Sequence, residues 1–195
     1  MHYSLIAATF GIIFLAELPD KTMISSVIMG SKLVPQRVFI GASLAFLLQV
    51  ILAVTVGGLV ARVPRRPLDL TVGFVFLIGA GLILREILKN TVQEEESLAK
   101  SASREGFLPQ VLLAFGVTFI GEFGDLTQIA TANLAAKTAD PLSVGIGSYL
   151  GLLAITTLGI YFGSRVLSKV PVKAVQLFSM LIMTALGLFS ITTAL

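Results

Sequence analysis

The chain lacks cysteine and tryptophan, and its only histidine is His2 near the N-terminal end. Because there is no cysteine, disulfide bonds and thiolate metal sites are excluded. Zn²⁺ and Cu⁺ normally take histidine or cysteine ligands, so sites for these softer ions are disfavoured. The sequence also contains no P-loop or comparable nucleotide motif, which leaves an ion gradient as the energy source for any transport.

Charge is also scarce. Lysine, arginine, aspartate and glutamate make up 13% of the residues, whereas 55% are hydrophobic, and the mean hydropathy is +0.94. A helix needs about 20 apolar residues to cross a hydrocarbon core, and in lipid its backbone must satisfy its own hydrogen bonds. The long apolar runs therefore predict an all-α integral membrane protein. The net charge of +3 does not indicate nucleic-acid binding, because the basic residues lie in short loops between the predicted helices.

Six membrane spans are predicted, separated by breaks that carry turn or charge signals. They cover residues 3–29, 38–60, 68–88, 108–136, 142–162 and 173–194. We divide the chain into a three-helix unit over 1–90, a polar cytoplasmic linker over 91–107 and a second three-helix unit over 108–195. Loops one, three and five hold nine lysines and arginines, and loops two and four hold four. The positive-inside rule then places the first set of loops in the cytoplasm and both termini outside.

The two units are related by an internal repeat. FGIIFLAELPDKT at Phe10–Thr22 matches FGVTFIGEFGDLT at Phe115–Thr127 with an offset of 105 residues. Further along, GASLA at Gly41–Ala45 corresponds to GSYLG at Gly147–Gly151. Because each unit holds three predicted spans, the second copy enters the membrane from the opposite side. This inverted repeat is the architecture of many secondary transporters, whose binding site lies near the midplane between the halves.

Four acidic residues lie near the middle of the first and fourth predicted spans: Glu17, Asp20, Glu122 and Asp125. An acidic residue at the centre of a membrane helix costs ~2.5–3.5 kcal/mol and is by default functional. On a continuous helix each Glu/Asp pair shares one face, and the inverted symmetry brings the two pairs together. Like charges repel in such a cluster, so either a divalent cation or protons must neutralise it. Alternating occupancy of this kind is the physical basis of metal/proton exchange.

Pro19 and Gly124 occupy matching positions between the acids of each pair. Proline removes an N–H group and clashes with the preceding helical turn, and glycine weakens a helix more gently. Both predict a helix break that frees carbonyl oxygens as further ligands, with a simple kink as the alternative. Lys21, next to Asp20, either pairs with the acids of an empty site or extends toward the membrane boundary.

Neutral oxygen ligands are available around the four acids. The candidates are Thr22, Ser26, Gln49, Thr118, Thr127, Gln128, Thr131 and Asn133. Hydroxyls in membrane helices also commonly bond back to their own backbone, so a supporting role for these residues is an alternative to packing. Carboxylate, hydroxyl, amide and carbonyl oxygens suit Mg²⁺, Ca²⁺ and Mn²⁺.

The repeated ELPDKT and EFGDLTQ resemble the twin Glu-x-Gly-Asp-Lys/Arg-Thr/Ser signatures of the Gdt-type (transmembrane protein 165-like) family. The resemblance covers nearly the whole chain, with one motif in the first helix of each half. It implies transport of Mn²⁺ or Ca²⁺ in exchange for protons, with Glu17, Asp20, Glu122 and Asp125 binding the ion. The chain departs from the pattern at Pro19, where the family has glycine, and at Leu126, where the family has a basic residue.

The leading hypothesis is a secondary transporter, and not an enzyme, that exports Mn²⁺ or Ca²⁺ from the cytoplasm across the cell membrane in exchange for protons. Mn²⁺ is the favoured ion. The predicted partners are the lipid bilayer and the transported ion, with no resident cofactor, and the oligomeric state stays open. The first alternative is an exporter of another small solute on a similar scaffold. A membrane aspartyl protease and a structural subunit are two further alternatives.

Overall fold

The computed structural model is all-α over the residues that it describes. These are 2–17, 21–60, 65–89, 91–123, 125–166 and, in the last span, 177, 180–181, 184–185 and 187–192. Eight helices have defined bounds: α1 (Tyr3–Ala16), α2 (Lys21–Lys32), α3 (Pro35–Val60), α4 (Arg65–Lys89), α5 (Thr91–Ala102), α6 (Phe107–Gly121), α7 (Leu126–Thr138) and α8 (Pro141–Val166). The described residues of the last predicted span are helical as well.

The first and fourth predicted spans are each two helices, not one. α1 ends before Glu17 and α2 starts at Lys21, and α6 and α7 are separated in the same way around Glu122. The division agrees with the helix break that the sequence predicts within each span, whereas the argument that each Glu/Asp pair shares one face needs a continuous helix and does not hold. The chemistry of proline and glycine accounts for interruptions at these places. Pro19 and Gly124 themselves lie outside the described residues.

Two helices within the described residues are long and apolar enough to cross a membrane. They contribute the segments Pro35–Gly57 of α3 and Pro141–Phe162 of α8, which agree with the second and fifth predicted spans. α1 and α6 are apolar but have 14 and 15 residues. At about 1.5 Å per residue they are about 21–23 Å long, shorter than a hydrocarbon core of about 30 Å.

Small residues bring the two halves into close contact. A Cβ atom on Gly147 of α8 would lie 2.6 Å from the carbonyl oxygen of Ile6 in α1, and a Cβ atom on Gly41 of α3 would meet the Val111 carbonyl of α6. These equivalent glycines thus pack helices of opposite halves against each other. Gly73 of α4 likewise faces Gly187 in the last helical segment.

Replacing Gly147 with alanine is expected to destabilise the protein. The added methyl group has to push backbone apart, and overpacking of this kind costs about 1–3 kcal/mol. Gly11 is the matched control, because a Cβ atom there meets nothing within 4 Å and alanine is the better helix former. Thermal denaturation in detergent should show a lower Tm for Gly147→Ala and no loss for Gly11→Ala. Equal Tm values would contradict the close packing.

The predicted polar linker contains a helix that docks on the bundle. Ala99 of α5 is 1% exposed and packs in a cluster of buried residues that includes Met29 and Leu33. Ser25 donates a hydrogen bond to Glu95 of α5 (2.8 Å). The expectation of a simply solvated linker was therefore incomplete, because the small apolar side of α5 finds a partner in α2.

A salt bridge at the outer edge of this contact joins Lys32 Nζ to Glu96 Oε1 at 2.9 Å. The hydrogen bond from Lys32 and its positive charge hold the pKa of Glu96 below its usual range. A carboxyl group with a lowered pKa stabilises the fold above its ordinary pKa, and that contribution is lost as the pH falls through the lowered value. The pair is solvent-exposed, so we expect its contribution to be small.

Charging the docked side of α5 is expected to expose α2. Ala99→Glu places a carboxylate against Met29, whereas Leu98→Glu alters a neighbouring position that is 52% exposed. The absence of native cysteine allows a single Met29→Cys substitution to report on the contact. A membrane-impermeant maleimide should label that cysteine severalfold faster in the Ala99→Glu background than in the Leu98→Glu background. Equal labelling would show that α5 does not cover Met29.

Gln110 of α6 holds the end of the linker in place. Its side-chain nitrogen is within 3.2–3.3 Å of the carbonyl oxygens of Ala102, Ser103 and Glu105. Its oxygen accepts a hydrogen bond from the backbone N–H of Val34 (3.2 Å), between α2 and α3. One buried amide therefore joins the linker to the turn that follows α2.

Candidate metal centre

The helix ends place three acidic side chains. Glu17 follows the last residue of α1 and donates its N–H to the Ile13 carbonyl, and Glu122 ends α6 in the same way, with an N–H bond to Thr118 (both 3.0 Å). Asp125 is the N-cap of α7, and its N–H donates to the carbonyl of Glu122 (3.2 Å). Each acid thus stands where a helix ends or begins.

These three acids meet although they come from both halves of the chain. One carboxylate oxygen each from Glu17, Glu122 and Asp125 lies within 4.8 Å of the others. Glu17 is 0% exposed and Glu122 is 6% exposed, while Asp125 is half-buried. The sequence analysis predicted that the acids of the two halves come together, and Glu17 lies close to the second pair. Asp20, the fourth predicted ligand, lies outside the described residues.

The electrostatics of the centre favour a cation. Three carboxylates this close repel one another strongly in a buried environment. The C-terminal ends of α1 and α6 add partial negative charge, because their last carbonyl groups lack helical partners. The N-terminal end of α7 offsets part of this charge at Asp125. A divalent cation would relieve the repulsion and use the same oxygens as ligands.

The spacing suits a hard ion of moderate size. Two oxygens on opposite sides of Ca²⁺, each about 2.3–2.6 Å from the ion, are about 4.6–5.2 Å apart. The 4.8 Å limit within the cluster falls in this range, and a somewhat smaller ion needs only a modest approach of the carboxylates. An all-oxygen set also matches the preference of Ca²⁺, Mn²⁺ and Mg²⁺. The residues present therefore fit a divalent cation.

Thr127 holds Asp125 in position. Its backbone N–H and its hydroxyl group both donate to Asp125 Oδ2 at 3.2 Å. This is the usual N-cap geometry, in which the cap side chain accepts a hydrogen bond from the first turn of the helix. Thr127, predicted as a possible ligand, orients the Asp125 carboxylate through these two hydrogen bonds.

A small cavity adjoins Glu122. Its volume of about 10 Å³ is close to the minimum for one water molecule. The lining residues are Phe46, Gln49, Val50, Ala53, Glu122, Thr127, Gln128, Thr131 and Leu152. Four of the predicted supporting residues, Gln49, Thr127, Gln128 and Thr131, are thereby brought together on one side of the acids.

Ser148 of α8 belongs to this region and was missed by the sequence analysis. Its hydroxyl group is 2.9 Å from the hydroxyl of Thr131, and its side chain is 0% exposed. The sequence feature that could have indicated it is a serine within a largely apolar predicted span, because a buried serine needs a polar partner.

The remaining supporting candidates divide by position. Thr22 is buried, and its hydroxyl has no hydrogen-bond partner among the described residues. Thr118 is buried one turn before Glu122. Ser26 packs against α8 at Gly159, so it contributes to helix contact. The side chain of Lys21 lies outside the described residues.

Asn133, a predicted supporting ligand, does not lie among the buried candidates, because its side chain is exposed. The interruption between α6 and α7 changes the helical register of every residue that follows, so spacing from Glu122 along a continuous helix does not place Asn133.

Comparison with known proteins shows the family of the chain. The family described as "Divalent cation/proton antiporter GDT1" matches residues 5–91 and 110–195. GDT1-like protein 3 of Oryza sativa subsp. indica is 29% identical, over 86% of this chain and 66% of its own length. GDT1-like protein sll0615 of Synechocystis is 28% identical, over 89% and 90%, and GDT1-like protein 5 of Arabidopsis thaliana is 25% identical, over 92% of each chain.

The chain spans 66% of the length of the rice relative and most of the length of the other two relatives. No solved structure matches it. The matched segments include both acid-bearing interruptions and leave out most of α5 and the turn that follows it. The chain belongs to the GDT1 divalent cation/proton antiporter family, a family of transporters and not of enzymes.

Proposed function

We propose that this protein is a secondary transporter that exchanges a hard divalent cation for protons at the carboxylate centre. The observation that carries the proposal is the meeting of Glu17, Glu122 and Asp125 within 4.8 Å. Membership of an antiporter family supports the same assignment. Mn²⁺ is the preferred candidate and Ca²⁺ the alternative. Asp20, which corresponds to Asp125 in the internal repeat, is the proposed fourth ligand.

Exchange follows from the chemistry of the centre. Carboxylates bind a hard cation in their ionised form, so metal binding releases protons and protonation releases metal. A buried cluster that alternates between the two neutralised states carries cation one way and protons the other. The proton gradient is then the energy source, in agreement with the lack of a P-loop.

The proposed membrane architecture is six spans in two inverted halves, and helix directions support it. Gly147, Gly151 and Gly159 of α8 contact residues of α1 and α2 whose numbers increase in the same order, so α8 runs parallel to α1 and α2. The Thr131–Ser148 hydrogen bond joins residues equally distant from the α7–α8 turn, so α8 runs antiparallel to α7. It follows that α1–α2 and α6–α7 run in opposite directions.

The proposed orientation places both termini outside and α5 in the cytoplasm of a cell-membrane transporter. It rests on the excess of lysine and arginine in loops one, three and five. Export is the direction that we propose, since inward proton flow is the common source of energy for removing a cation from the cytoplasm.

Flux in proteoliposomes tests the proposal. Purified protein is reconstituted, and uptake of Mn²⁺ and of Ca²⁺ is measured separately, with and without a pH gradient. We expect uptake that depends on the gradient and is blocked by an excess of the other hard divalent cation. A Glu105→Gln variant, which changes an exposed glutamate outside the centre, should transport like the wild type.

The alternative function, export of another small solute, predicts a different result. Neither metal would move under any gradient, and divalent cations would not compete with the true solute. Such a result would overturn metal transport while leaving the family assignment in place.

A further inference from the structure

Gln49 is a buried amide in the middle of the apolar helix α3. Its side chain is 2% exposed, and its Nε2 donates a hydrogen bond to the backbone carbonyl of Phe119 in α6 (3.0 Å). A buried amide in an apolar span is costly unless it is hydrogen-bonded. The bond satisfies the Nε2 side of the amide, and the position of the acceptor in α6 indicates what Gln49 does.

The Phe119 carbonyl is at the point where α6 ends. In a continuous helix it would accept the N–H of Phe123. Here the Phe123 N–H is directed to Ile120 at a long 3.5 Å, because the helix stops at Gly121. Gln49 supplies the missing donor from a neighbouring helix, so it caps the last turn of α6.

That same turn carries Glu122. The Glu122 N–H bonds to Thr118, immediately before Phe119, and the side chains of Glu122 and Gln49 line one cavity. We infer that Gln49 is a positioning residue of the carboxylate centre: by capping α6 from α3 it sets where Glu122 stands relative to Glu17 and Asp125.

The position equivalent to Gln49 in the internal repeat is apolar. The repeat pairs Gly41 with Gly147, so Gln49 corresponds to Ile155, an apolar residue that is 0% exposed. The two halves therefore hold their acids differently. Glu122 is tied to a neighbouring helix through an amide, and movement of α3 relative to α6 acts on it directly.

The inference rests on the proposed function and refines it. Gln49→Met keeps the size and burial of the side chain but removes the donor. Loss of one such hydrogen bond is expected to raise the KM for the cation about threefold to tenfold, while the maximal exchange rate stays near that of the wild type. The cation-induced rise in Tm of the detergent-solubilised protein should shrink in parallel, because that rise reports binding without turnover.

Gln110→Met is the matched control. Gln110 is an equally buried glutamine whose amide also donates to carbonyl groups, but it lies at the linker, away from the acids. Its replacement should lower Tm and leave KM unchanged. If the Gln49→Met variant does not fold, Gln49→Asn, whose amide is too short to reach Phe119, carries the same expectation.

The outcomes separate the two claims. A wild type that exchanges cations and a folded Gln49 variant with unchanged KM would overturn the positioning role. A wild type without exchange would overturn the proposed function. The cation-induced rise in Tm would still show whether Gln49 positions the centre for binding. No Tm shift with Mn²⁺ or Ca²⁺ in the wild type would overturn both.

Discussion

Replacement of Glu122 by glutamine is expected to abolish cation exchange. The change keeps the size of the side chain and removes one of three carboxyl groups whose oxygens lie within 4.8 Å of one another. Loss of a residue that hydrogen-bonds directly to a metal ligand costs about 10- to 100-fold, so loss of a ligand itself should lower kcat/KM by more than about 100-fold. Flux in proteoliposomes at fixed pH gradient measures the effect.

Stability distinguishes this result from misfolding. With no cation bound, the three carboxylates repel one another, so Glu122→Gln should not lower Tm. The exposed-site variant Glu105→Gln serves as the control for both flux and Tm. Glu122→Gln that transports at the wild-type rate would show that the cluster is not the transport site.

The second large effect is expected at Glu17, which lies in the other half of the chain. Glu17→Gln should remove exchange as completely as Glu122→Gln, because its carboxylate shares one centre with Glu122 and Asp125. Glu17 is fully buried, so a carboxylate on the protein surface cannot take its place as a ligand. Initial rates of Mn²⁺ and Ca²⁺ uptake over a range of concentrations give both KM and the maximal rate.

A weaker effect at Glu17 would change the account. If each half bound its own ion, Glu17→Gln would keep the site formed by Glu122 and Asp125, and transport would fall by only about half. Glu94→Gln on the exposed side of α5 is the matched control for this variant and should leave uptake unchanged.

The choice of the acids as candidate ligands rests on the cost of acidic residues in apolar runs. The repeat of Phe10–Thr22 at Phe115–Thr127 related the two halves and predicted that Glu17 would meet the second pair. The lengths of α3 and α8 followed from the apolar runs and their flanking turn signals. Membership of the family was confirmed by the comparison.

The local geometry could not be predicted in the same way. The i, i+3 argument assumes an unbroken helix, whereas Glu122 ends one helix and Asp125 caps the next. The exposed position of Asn133 has the same cause, since the register after the interruption differs from that of a continuous helix. A proline or glycine signals that a helix is weakened, but the direction in which the chain continues depends on tertiary packing.

Contacts between distant segments were also beyond the reach of sequence patterns. α5 docks through Ala99, which packs with Met29 and Leu33, and the sequence pattern of α5 does not reveal which helix this side chain meets. Gln49 was predicted as a possible ion ligand, and the structure shows that its Nε2 donates a hydrogen bond to the Phe119 carbonyl. That carbonyl needs an outside donor only because α6 ends there, a fact that the amino-acid types alone do not reveal.

The central claim is that one divalent ion is shared by carboxylates of both halves. Equilibrium dialysis of the purified protein against Mn²⁺, and separately against Ca²⁺, measures the number of ions bound per chain. We predict one ion per chain in the wild type and none in Glu17→Gln or Glu122→Gln at the same free concentration. Two ions per chain, or undiminished binding in either variant, would contradict the shared centre.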